Sequence, residues 1–295
     1  MKVLIETARP KINLTLRVLG RRTDGYHELA SLVAFADGPS DRITLDGGRP
    51  AGVTADGPFA GAIASTNLLQ TVLELAAEAA FRNYVGGFVL GHVHLEKNLP
   101  VAAGIGGGSA DAAALIRLLQ RANPGQTETI DWQAIALRIG ADVPVCLSNR
   151  ATWMTGTGER LTALEHLPAL SALLVYPQLA VPADKTARVF RALQAGAYDE
   201  IEPRHDMPPT IPHAQALIDM IDGGNDLEAA ATSIVPAISE VLSALRALQG
   251  CRVAAMSGAG PTCFAVFNDE AAAKAAAHAL QRYRPGWWIY PALLG

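Results

Sequence analysis

Residues 100–122 read PVAAGIGGGSADAAALIRLLQRA, in which a glycine run leads directly into a segment of strong helix formers. Four of the six residues from Gly104 to Ser109 are glycines. Successive glycines let backbone N–H groups approach an anion, and a helix that begins there adds its unpaired donors and the positive end of its dipole. A plain turn between a strand and a helix is the alternative, but this pattern favours a phosphate-binding loop.

The glycine run lacks the order G-x-x-x-x-G-K-[ST], which brings a lysine to the phosphates of a P-loop, so an ordinary P-loop enzyme is excluded. A dinucleotide-binding fold would need an acidic residue about 20 positions further on, and Glu128 or Asp131 matches that requirement only weakly. Ser109, at the predicted start of the helix, is expected to contact a magnesium ion, to cap the helix, or to do both.

The segments before the glycine run predict two strands and a helix. Apolar residues alternate from residue 11 to residue 18, which predicts a half-buried strand with Lys11 and Asn13 on its polar face. Residues 65–67, Ser-Thr-Asn, supply capping side chains ahead of a helical apolar pattern. A second alternation, over residues 88–96, predicts a strand that leads into the glycine run.

The segments after the glycine run predict a helix and then a domain boundary. The helix runs from about Asp131 to Gly140, and residues 141–144 form a tight exit that ends in a proline. Residues 153–159 are rich in turn formers. We place the boundary there, which gives an N-terminal domain of residues 1–155 and a C-terminal domain of residues 156–295.

The second half of the chain predicts strands at both ends and helices between them. A strand at residues 172–176 is followed by a mostly helical region, residues 184–248. That region is interrupted by an irregular surface stretch marked by Pro203, Pro208, Pro209 and Pro212. Two short strands at 252–256 and 263–267 are joined by a second glycine loop, residues 257–261.

The composition indicates a compact protein without an obvious macromolecular partner. The chain has 295 residues, of which 50% are hydrophobic, and it carries a net charge of −4 with a pI near 6.0. This length suggests two domains, and neither nucleic acid, a membrane nor an obligate protein partner is implied. An RNA-binding module ranks last because it would need a basic surface, and only 6% of the residues are aromatic.

The cysteines and histidines do not form a recognisable metal or disulfide pattern. The three cysteines lack C-x-x-C spacing, which argues against a disulfide framework and a zinc site. His92 and His94 share one strand face, but no third ligand lies at useful spacing. Neither a run of about 18 apolar residues nor a signal-peptide pattern is present. We therefore expect a cytoplasmic protein.

Four residues are candidates for chemistry from their types and surroundings. Asp142, beyond a helix end, would accept a proton from an attacking hydroxyl, although aspartates before a proline more often serve turns. Lys11 would favour the ionised form of that hydroxyl, although a lysine on a strand is usually solvated. Tyr26 and His27 follow an Asp-Gly turn and would bind a nucleobase, with packing against the domain as the alternative.

Three segments together resemble the GHMP kinase superfamily, named for galactokinase, homoserine kinase, mevalonate kinase and phosphomevalonate kinase. They are ARPKINL (residues 8–14), PVAAGIGGGSADAA (100–113) and MSGAGPT (256–262). Two further segments are GRRTDGYHEL (20–29) and GADVP (140–144). These two resemble the family of GHMP kinases that phosphorylates the 2-hydroxyl of 4-diphosphocytidyl-2-C-methyl-D-erythritol, in the non-mevalonate pathway of isoprenoid biosynthesis.

The resemblance implies an α+β protein with the two-domain GHMP kinase fold. Its N-terminal domain would be ribosomal-protein-S5-domain-2-like, and its C-terminal domain would have a ferredoxin-like split βαβ arrangement. ATP and Mg²⁺ are the implied cofactors, and the cytidine compound is the implied small-molecule partner.

The resemblance also assigns roles to individual residues. Asp142 would be the general base, and Lys11 would polarise the acceptor hydroxyl. The implied acceptor site is Asn13, Tyr26, His27, Phe190 and Gly258, with the cytosine between Tyr26 and Phe190 and with His27 at its polar edge. The implied ATP site is Asn67, Lys97, Pro100, Gly104, Gly106, Gly107, Gly108 and Ser109, with Asn67 and Lys97 near the adenine and Ser109 as a Mg²⁺ contact.

The chain departs from the family pattern at two places. Val101 and Ala102 are mild departures within the phosphate motif, and residues 181–186, VPADKT, depart from the usual Pro-Thr spacing ahead of Phe190. Two alternatives remain open. One is another GHMP kinase, with a mevalonate-type or homoserine-type acceptor. The other is a nucleotide-binding regulator without catalysis, against which the joint presence of Lys11 and Asp142 argues.

Overall fold

The computed structural model describes residues 3–63, 67–182, 184–199 and 210–295. The strands are β1 (Val3–Ala8), β2 (Lys11–Asn13), β3 (Arg17–Arg21), β4 (His27–Asp37), β5 (Asp41–Asp46), β6 (Gly52–Asp56), β7 (His92–Glu96), β8 (Thr152–Gly156), β9 (Arg160–Ala163), β10 (Leu170–Tyr176), β11 (Val253–Met256), β12 (Cys263–Phe267) and β13 (Trp288–Leu294). The helices are α1 (Leu68–Arg82), α2 (Gly107–Ala122), α3 (Trp132–Ile139), α4 (Val143–Ser148), α5 (Lys185–Leu193), α6 (Ala214–Asp222), α7 (Glu228–Ile234), α8 (Ala237–Arg246) and α9 (Glu270–Tyr283). A single 3₁₀ turn, Ala60–Ala62, is also present in the described residues.

The chain divides into two compact units, and each is made of segments that are separate in sequence. Unit 1 comprises Met1–Pro10, Pro39–Val101 and Gly106–Asn149. Unit 2 comprises Lys11–Gly38, Ala102–Ile105 and Arg150–Gly295.

Unit 1 is built on a sheet with the strand order β1-β5-β7-β6, in which β6 is parallel to β7 and the other pairs are antiparallel. Apolar residues of the two central strands are buried, and α1 and α2 pack in the same unit. In β7, Val93 and Leu95 are buried while His92 and His94 are half-buried, so the predicted alternation is confirmed. The strand begins at His92 rather than at residue 88.

Unit 2 is built on an antiparallel sheet with the strand order β11-β12-β10-β13-β4-β8-β9, and β2 and β3 also pair with β4. Side chains from β10 and β12 form a core with α5, α7, α8 and α9. The predicted strands at 172–176, 252–256 and 263–267 correspond to β10, β11 and β12. The mostly helical region is also confirmed in its described part, whereas Pro203, Pro208 and Pro209 lie outside the described residues.

The strand predicted over residues 11–18 is interrupted and more buried than its pattern indicates. It forms two strands, β2 and β3, because both pair with the long strand β4 and the chain leaves the ladder between them. Lys11 and Asn13 do lie on one face, as predicted, but all three residues of β2 are buried, so the prediction of a half-buried strand is wrong there.

Helix ends agree with the sequence prediction at some sites and differ at others. Asn67 caps α1 by accepting a hydrogen bond from the Leu69 N–H at 3.0 Å, while Ser65 and Thr66 lie outside the described residues. Asp131 caps α3 in the same way, and Gly140 ends it, as predicted.

Two details of the helix ends were predicted wrongly. Helix α2 begins at Gly107 after Gly106, so Ser109 lies inside the first turn and does not cap it. Residues 141–144 do not form an exit that ends in the proline, because Asp142 leads directly into α4 and Pro144 lies in its first turn.

The turn-rich segment 153–159 forms the hairpin between β8 and β9, in which Thr155 pairs with Arg160. The predicted boundary between residues 155 and 156 concerns the domains of the family and stays a prediction. In the described part of the chain, no helix is long and apolar enough to cross a membrane.

Candidate active site

In unit 2, Lys11 and Asn13 form a buried polar cluster on β2. Lys11 Nζ donates to Asn13 Oδ1 at 2.8 Å, and Asn13 Nδ2 donates to Ser31 Oγ at 2.8 Å. The backbone N–H of Asn13 donates to Ser257 Oγ at 3.1 Å. The amide of Asn13 is therefore held from both ends, and the Lys11 ammonium has a fixed neighbour.

The second glycine loop packs closely against this cluster. Gly258 has a φ of 56°, and a Cβ there would lie 3.0 Å from Asn13 Oδ1. Gly104 has a φ of 83°, and a Cβ there would overlap the carbonyl oxygen of Gly260. Glycine is required at both positions because of the backbone conformation and the missing space. Thr262 closes the contact by donating from its backbone N–H to the Ala103 carbonyl at 3.0 Å.

The phosphate-motif departure at Ala102 has a structural consequence. Ala102 has a φ of 57°, in the left-handed region that is unfavourable for a residue with a Cβ. The loop thus keeps a backbone conformation typical of glycine although the side chain opposes it.

Lys185 was not predicted as a functional residue. It lies at the first position of α5, is buried, and donates to the carbonyl oxygens of Ala259, at 2.8 Å, and Gly260. Burial, together with the positive charge of Lys11, lowers the pKa of Lys185 to about 8. The sequence contained only one signal of this arrangement, the departure from the usual pattern in residues 181–186.

Tyr26, His27 and Phe190 line one cavity of about 910 Å³ in unit 2. The ring centroids of His27 and Phe190 are 4.9 Å apart at an angle of 30°. Tyr26 is 66% exposed at the cavity rim. Tyr26 lies in the β3–β4 turn, His27 begins β4 and Phe190 lies on α5, so the structure brings together residues that are far apart in sequence.

The electrostatic environment of His27 favours its neutral form. Burial, together with the charge of Arg21 on the paired strand β3, lowers the pKa of His27 below its ordinary value. The adjacent Glu28 is buried and pairs with Arg22, at 3.0 Å, and with Arg160. Glu28 therefore anchors the hairpin from which His27 points.

In unit 1, Lys97 is buried between two carboxylates. Its ammonium lies 2.5 Å from Asp41 Oδ2 and 2.7 Å from Asp111 Oδ2. Burial opposes its charge, but Asp111 and Asp41 outweigh that effect and raise the pKa of Lys97. Burial raises the pKa of Asp111 well above its ordinary value although Lys97 opposes this, and Asp41 adds to the rise. Nucleotide binding by Lys97 stays a prediction, and its ammonium is already paired.

Asp41 also fixes the chain that enters the glycine run. Its Oδ1 accepts hydrogen bonds from the backbone N–H groups of Asn98, at 2.6 Å, and Leu99, at 2.7 Å. Gly107, the first residue of α2, approaches the same network, since a Cβ there would lie 3.4 Å from Lys97 Nζ. Pro100, the residue after Leu99, is also buried. The network therefore holds the backbone that leads into the glycine run and lies close to the start of α2.

Asp142 is half-buried and directly precedes α4 in unit 1. Two arginines hold the other end of this short helix: Arg9 donates to the Asn149 carbonyl at 2.8 Å, and Arg117 donates to the Cys146 carbonyl at 2.8 Å. Cations are favourable at a helix C-terminus. Neither arginine was predicted to matter, because their partners lie far along the chain.

Comparisons with known proteins agree with this architecture. The model of the GHMP kinases N terminal domain matches residues 67–150, and the model of the GHMP kinases C terminal domain matches residues 212–286. A 4-diphosphocytidyl-2-C-methyl-D-erythritol kinase from Methylobacterium radiotolerans is 49% identical over 100% of both chains. One from Bradyrhizobium diazoefficiens is 45% identical over 100% of this chain and 99% of its own.

Solved structures give the same result. A crystal structure of 4-(cytidine 5'-diphospho)-2C-methyl-D-erythritol kinase aligns with a TM-score of 0.75 and 34% identity over 99% of each chain. A homoserine kinase from Cytophaga hutchinsonii, at 16% identity and a TM-score of 0.65 over 99% of this chain and 95% of its own, shares the fold. The predicted two-domain α+β fold is therefore confirmed, and the chain belongs to the GHMP kinases, in the family of 4-diphosphocytidyl-2-C-methyl-D-erythritol kinases.

Proposed function

We propose that this protein transfers the γ-phosphoryl group of ATP to the 2-hydroxyl of 4-diphosphocytidyl-2-C-methyl-D-erythritol. The observation that carries the proposal is the cavity lined by Tyr26, His27 and Phe190. Two aromatic rings and a neutral imidazole suit a nucleobase. Mevalonate and homoserine have no base that would use them.

The ring geometry supports a particular arrangement of the cytosine. The 4.9 Å between the His27 and Phe190 centroids is the separation of two rings in direct contact, so no base fits between them. The base would stack on Tyr26 and Phe190, and His27 would face its edge. A neutral imidazole has one donor and one acceptor, which complements the acceptor N3 and the amino group of cytosine.

The phosphates of ATP would lie at the glycine run and the N-terminus of α2. The backbone N–H groups from Gly106 to Gly108 and the helix dipole favour an anion there. Mg²⁺ would accompany ATP and offset the charge of its phosphates. Ser109 fits a magnesium contact, because its hydroxyl lies in the first turn of α2 and forms no hydrogen bond within the described residues.

Phosphoryl transfer then requires positioning and one proton acceptor. Asp142 would take the proton of the 2-hydroxyl as that oxygen bonds to the γ-phosphorus and the bond to ADP breaks. Lys11, oriented by Asn13, would favour the ionised oxygen. Asn13 and Gly258 would contact the acceptor near its reacting hydroxyl.

The test measures ADP release by the purified protein with Mg-ATP and four acceptors: the cytidine compound, mevalonate, homoserine and galactose. We expect turnover only with the cytidine compound. Turnover with another acceptor would keep the superfamily and discard the cytosine site. A lack of turnover with all four would favour a nucleotide-binding regulator.

A variant of the cavity sharpens this test. Tyr26→Ala should raise the KM of the cytidine compound by about 10-fold and leave the KM of ATP within about twofold, since the lost ring faces only the base. Tyr283→Ala is the matched control, because Tyr283 is 77% exposed on α9. An equal rise of both KM values would contradict the assignment of Tyr26.

A further inference from the structure

Lys185 is buried at a place that is unfavourable for a cation. Lys185 is only 5% exposed, and it lies at the N-terminus of α5, which carries a positive partial charge. Burial and the like charge of Lys11 lower the pKa of Lys185 to about 8. Within the described part of the chain, no carboxylate forms an ion pair with it. A buried cation without a counter-charge is destabilising, so stability does not account for this lysine.

The hydrogen bonds of Lys185 fix one turn of the backbone. Its Nζ donates to the carbonyls of Ala259 and Gly260, and Asn225 Nδ2 donates to the carbonyl of Gly258 at 2.8 Å. The turn is closed by the Gly260 N–H, which donates to the Ser257 carbonyl at 2.9 Å. Three successive carbonyls are therefore bound by buried side chains.

This arrangement determines which donors of the turn remain available. The backbone N–H groups of Gly258 and Ala259, its two central residues, form no hydrogen bond within the described residues. Consecutive N–H groups in a turn form a binding site for an anionic oxygen. The turn also lies against Gly104 and Ala103 of the first glycine run.

We propose that Lys185 is a positioning residue for phosphoryl transfer, which holds the turn of residues 257–260 so that the Gly258 and Ala259 amides are available to an anionic oxygen of the substrates. Lys185 also begins the helix that carries Phe190, so one side chain connects the wall of the acceptor cavity to the turn. The inference rests on the proposed kinase function.

The test compares Lys185→Met, which keeps the apolar stem, with Lys185→Arg, which keeps the charge and the donors. Lys274→Met is the control, because Lys274 is exposed on α9. In Lys185→Met we expect amides of residues 253–267 to exchange hydrogen at least about 10-fold faster. We expect kcat to fall about 10- to 100-fold, with the KM of the cytidine compound changed by less than about threefold.

Rescue and folding separate positioning from a loss of structure. Lys185→Arg should recover most of the lost kcat, and the urea midpoint of Lys185→Met should not fall, because a buried charge is removed. Unchanged hydrogen exchange over residues 253–267 would show that Lys185 does not hold the turn of residues 257–260. If Lys185→Met had the same kcat as Lys274→Met, Lys185 would have no role in phosphoryl transfer. A rise in the KM of the cytidine compound as large as the fall in kcat would also contradict that role. A wild-type protein without turnover would contradict both the proposed kinase function and the role of Lys185 in phosphoryl transfer. Faster hydrogen exchange in Lys185→Met would still show that Lys185 holds the turn.

Discussion

At the residue scale, the buried lysines differ in the oxygen atoms that surround them. Lys97 lies between two carboxylates, Lys11 contacts an amide oxygen, and Lys185 contacts backbone carbonyls. Carboxylates raise the pKa of Lys97, whereas the neutral partners of Lys185 leave burial as the dominant effect on its pKa. In unit 1, Lys97 is therefore the cation of a buried ion-pair network. In unit 2, Lys185 is a buried hydrogen-bond donor whose charge is destabilising.

Lys185 predicts a pH dependence of stability with a definite sign. Its folded-state pKa of about 8 lies below the ordinary 10.5, so between these values the unfolded chain binds more protons than the folded one. The free energy of unfolding therefore rises with pH across this window, and below pH 8 the full penalty of about 3 kcal/mol applies. Urea unfolding of the wild type and Lys185→Met from pH 7 to pH 10 measures this, because their difference isolates Lys185. A difference that does not change with pH would contradict it.

Asp142→Asn tests the proposed base directly. The amide keeps the shape of the side chain but accepts no proton, so kcat should fall by about 10²- to 10⁴-fold. Binding of ATP, measured by calorimetry, should stay within about threefold of the wild type. Asp219→Asn, an exposed carboxylate on α6, is the control and should be fully active. Near-normal turnover of Asp142→Asn would remove Asp142 from this role.

At the element scale, buried ion pairs and hydrogen bonds hold the segment that leads into the glycine run and the first turns of α2. The local sequence pattern does not predict this network. Asp41 binds two backbone N–H groups at the end of β7 and the Lys97 ammonium, and Asp111 joins from the second turn of α2. A strand, a loop and a helix N-terminus are thus tied to one buried ion pair network. The position of α2, and with it the proposed phosphate site, depends on that network.

Lys97→Met should disrupt this element more than a surface variant would. Removing one partner leaves buried carboxylates without their cation, which costs about 3–5 kcal/mol of unfolding free energy. The exposed pair of Lys274 and Glu270 provides the control, since Lys274→Met should cost less than about 0.5 kcal/mol. Chemical denaturation at pH 7 measures both. A loss of less than 1 kcal/mol for Lys97→Met would show that the network is not important for stability.

At the scale of the whole molecule, the path of the chain determines which fragments can fold. The chain passes between the units at residues 10/11, 38/39, 101/102, 105/106 and 149/150. The long strand β4 pairs both with β8 and with the C-terminal strand β13. No single cut separates the units.

A fragment of residues 1–155 therefore tests the predicted domain boundary. It retains the described strands of unit 1, but β4 loses its partner β13 and β8 loses its partner β9. We expect an aggregation-prone fragment that binds a hydrophobic dye, because unpaired strand edges and apolar faces are exposed. The full chain is the control. A soluble fragment that unfolds cooperatively would support the contiguous boundary instead.

Local sequence rules predicted the elements whose causes are local. Asp131 and Gly140 mark the two ends of α3, because capping involves only groups within a few residues. The alternation of β7 is likewise local, because one face of the strand packs on the core and the other does not. The capping role of Ser109 was predicted wrongly because α2 begins two residues earlier, after Gly106 in a left-handed conformation that needs no capping side chain. The burial of Lys11 could not be predicted, since it depends on the pairing of β2 with β4.

The sequence by itself determined the glycine loop ahead of α2, the acidic and aromatic candidates, and the family resemblance. These depend on residue type and on short spacing. Only the tertiary structure brought Phe190 beside His27, placed Lys97 between Asp41 and Asp111, and directed Lys185 to carbonyls 74 and 75 residues away. The physical reason is that burial and long-range hydrogen bonds depend on which distant segments pack together, and packing has no signature in a local pattern.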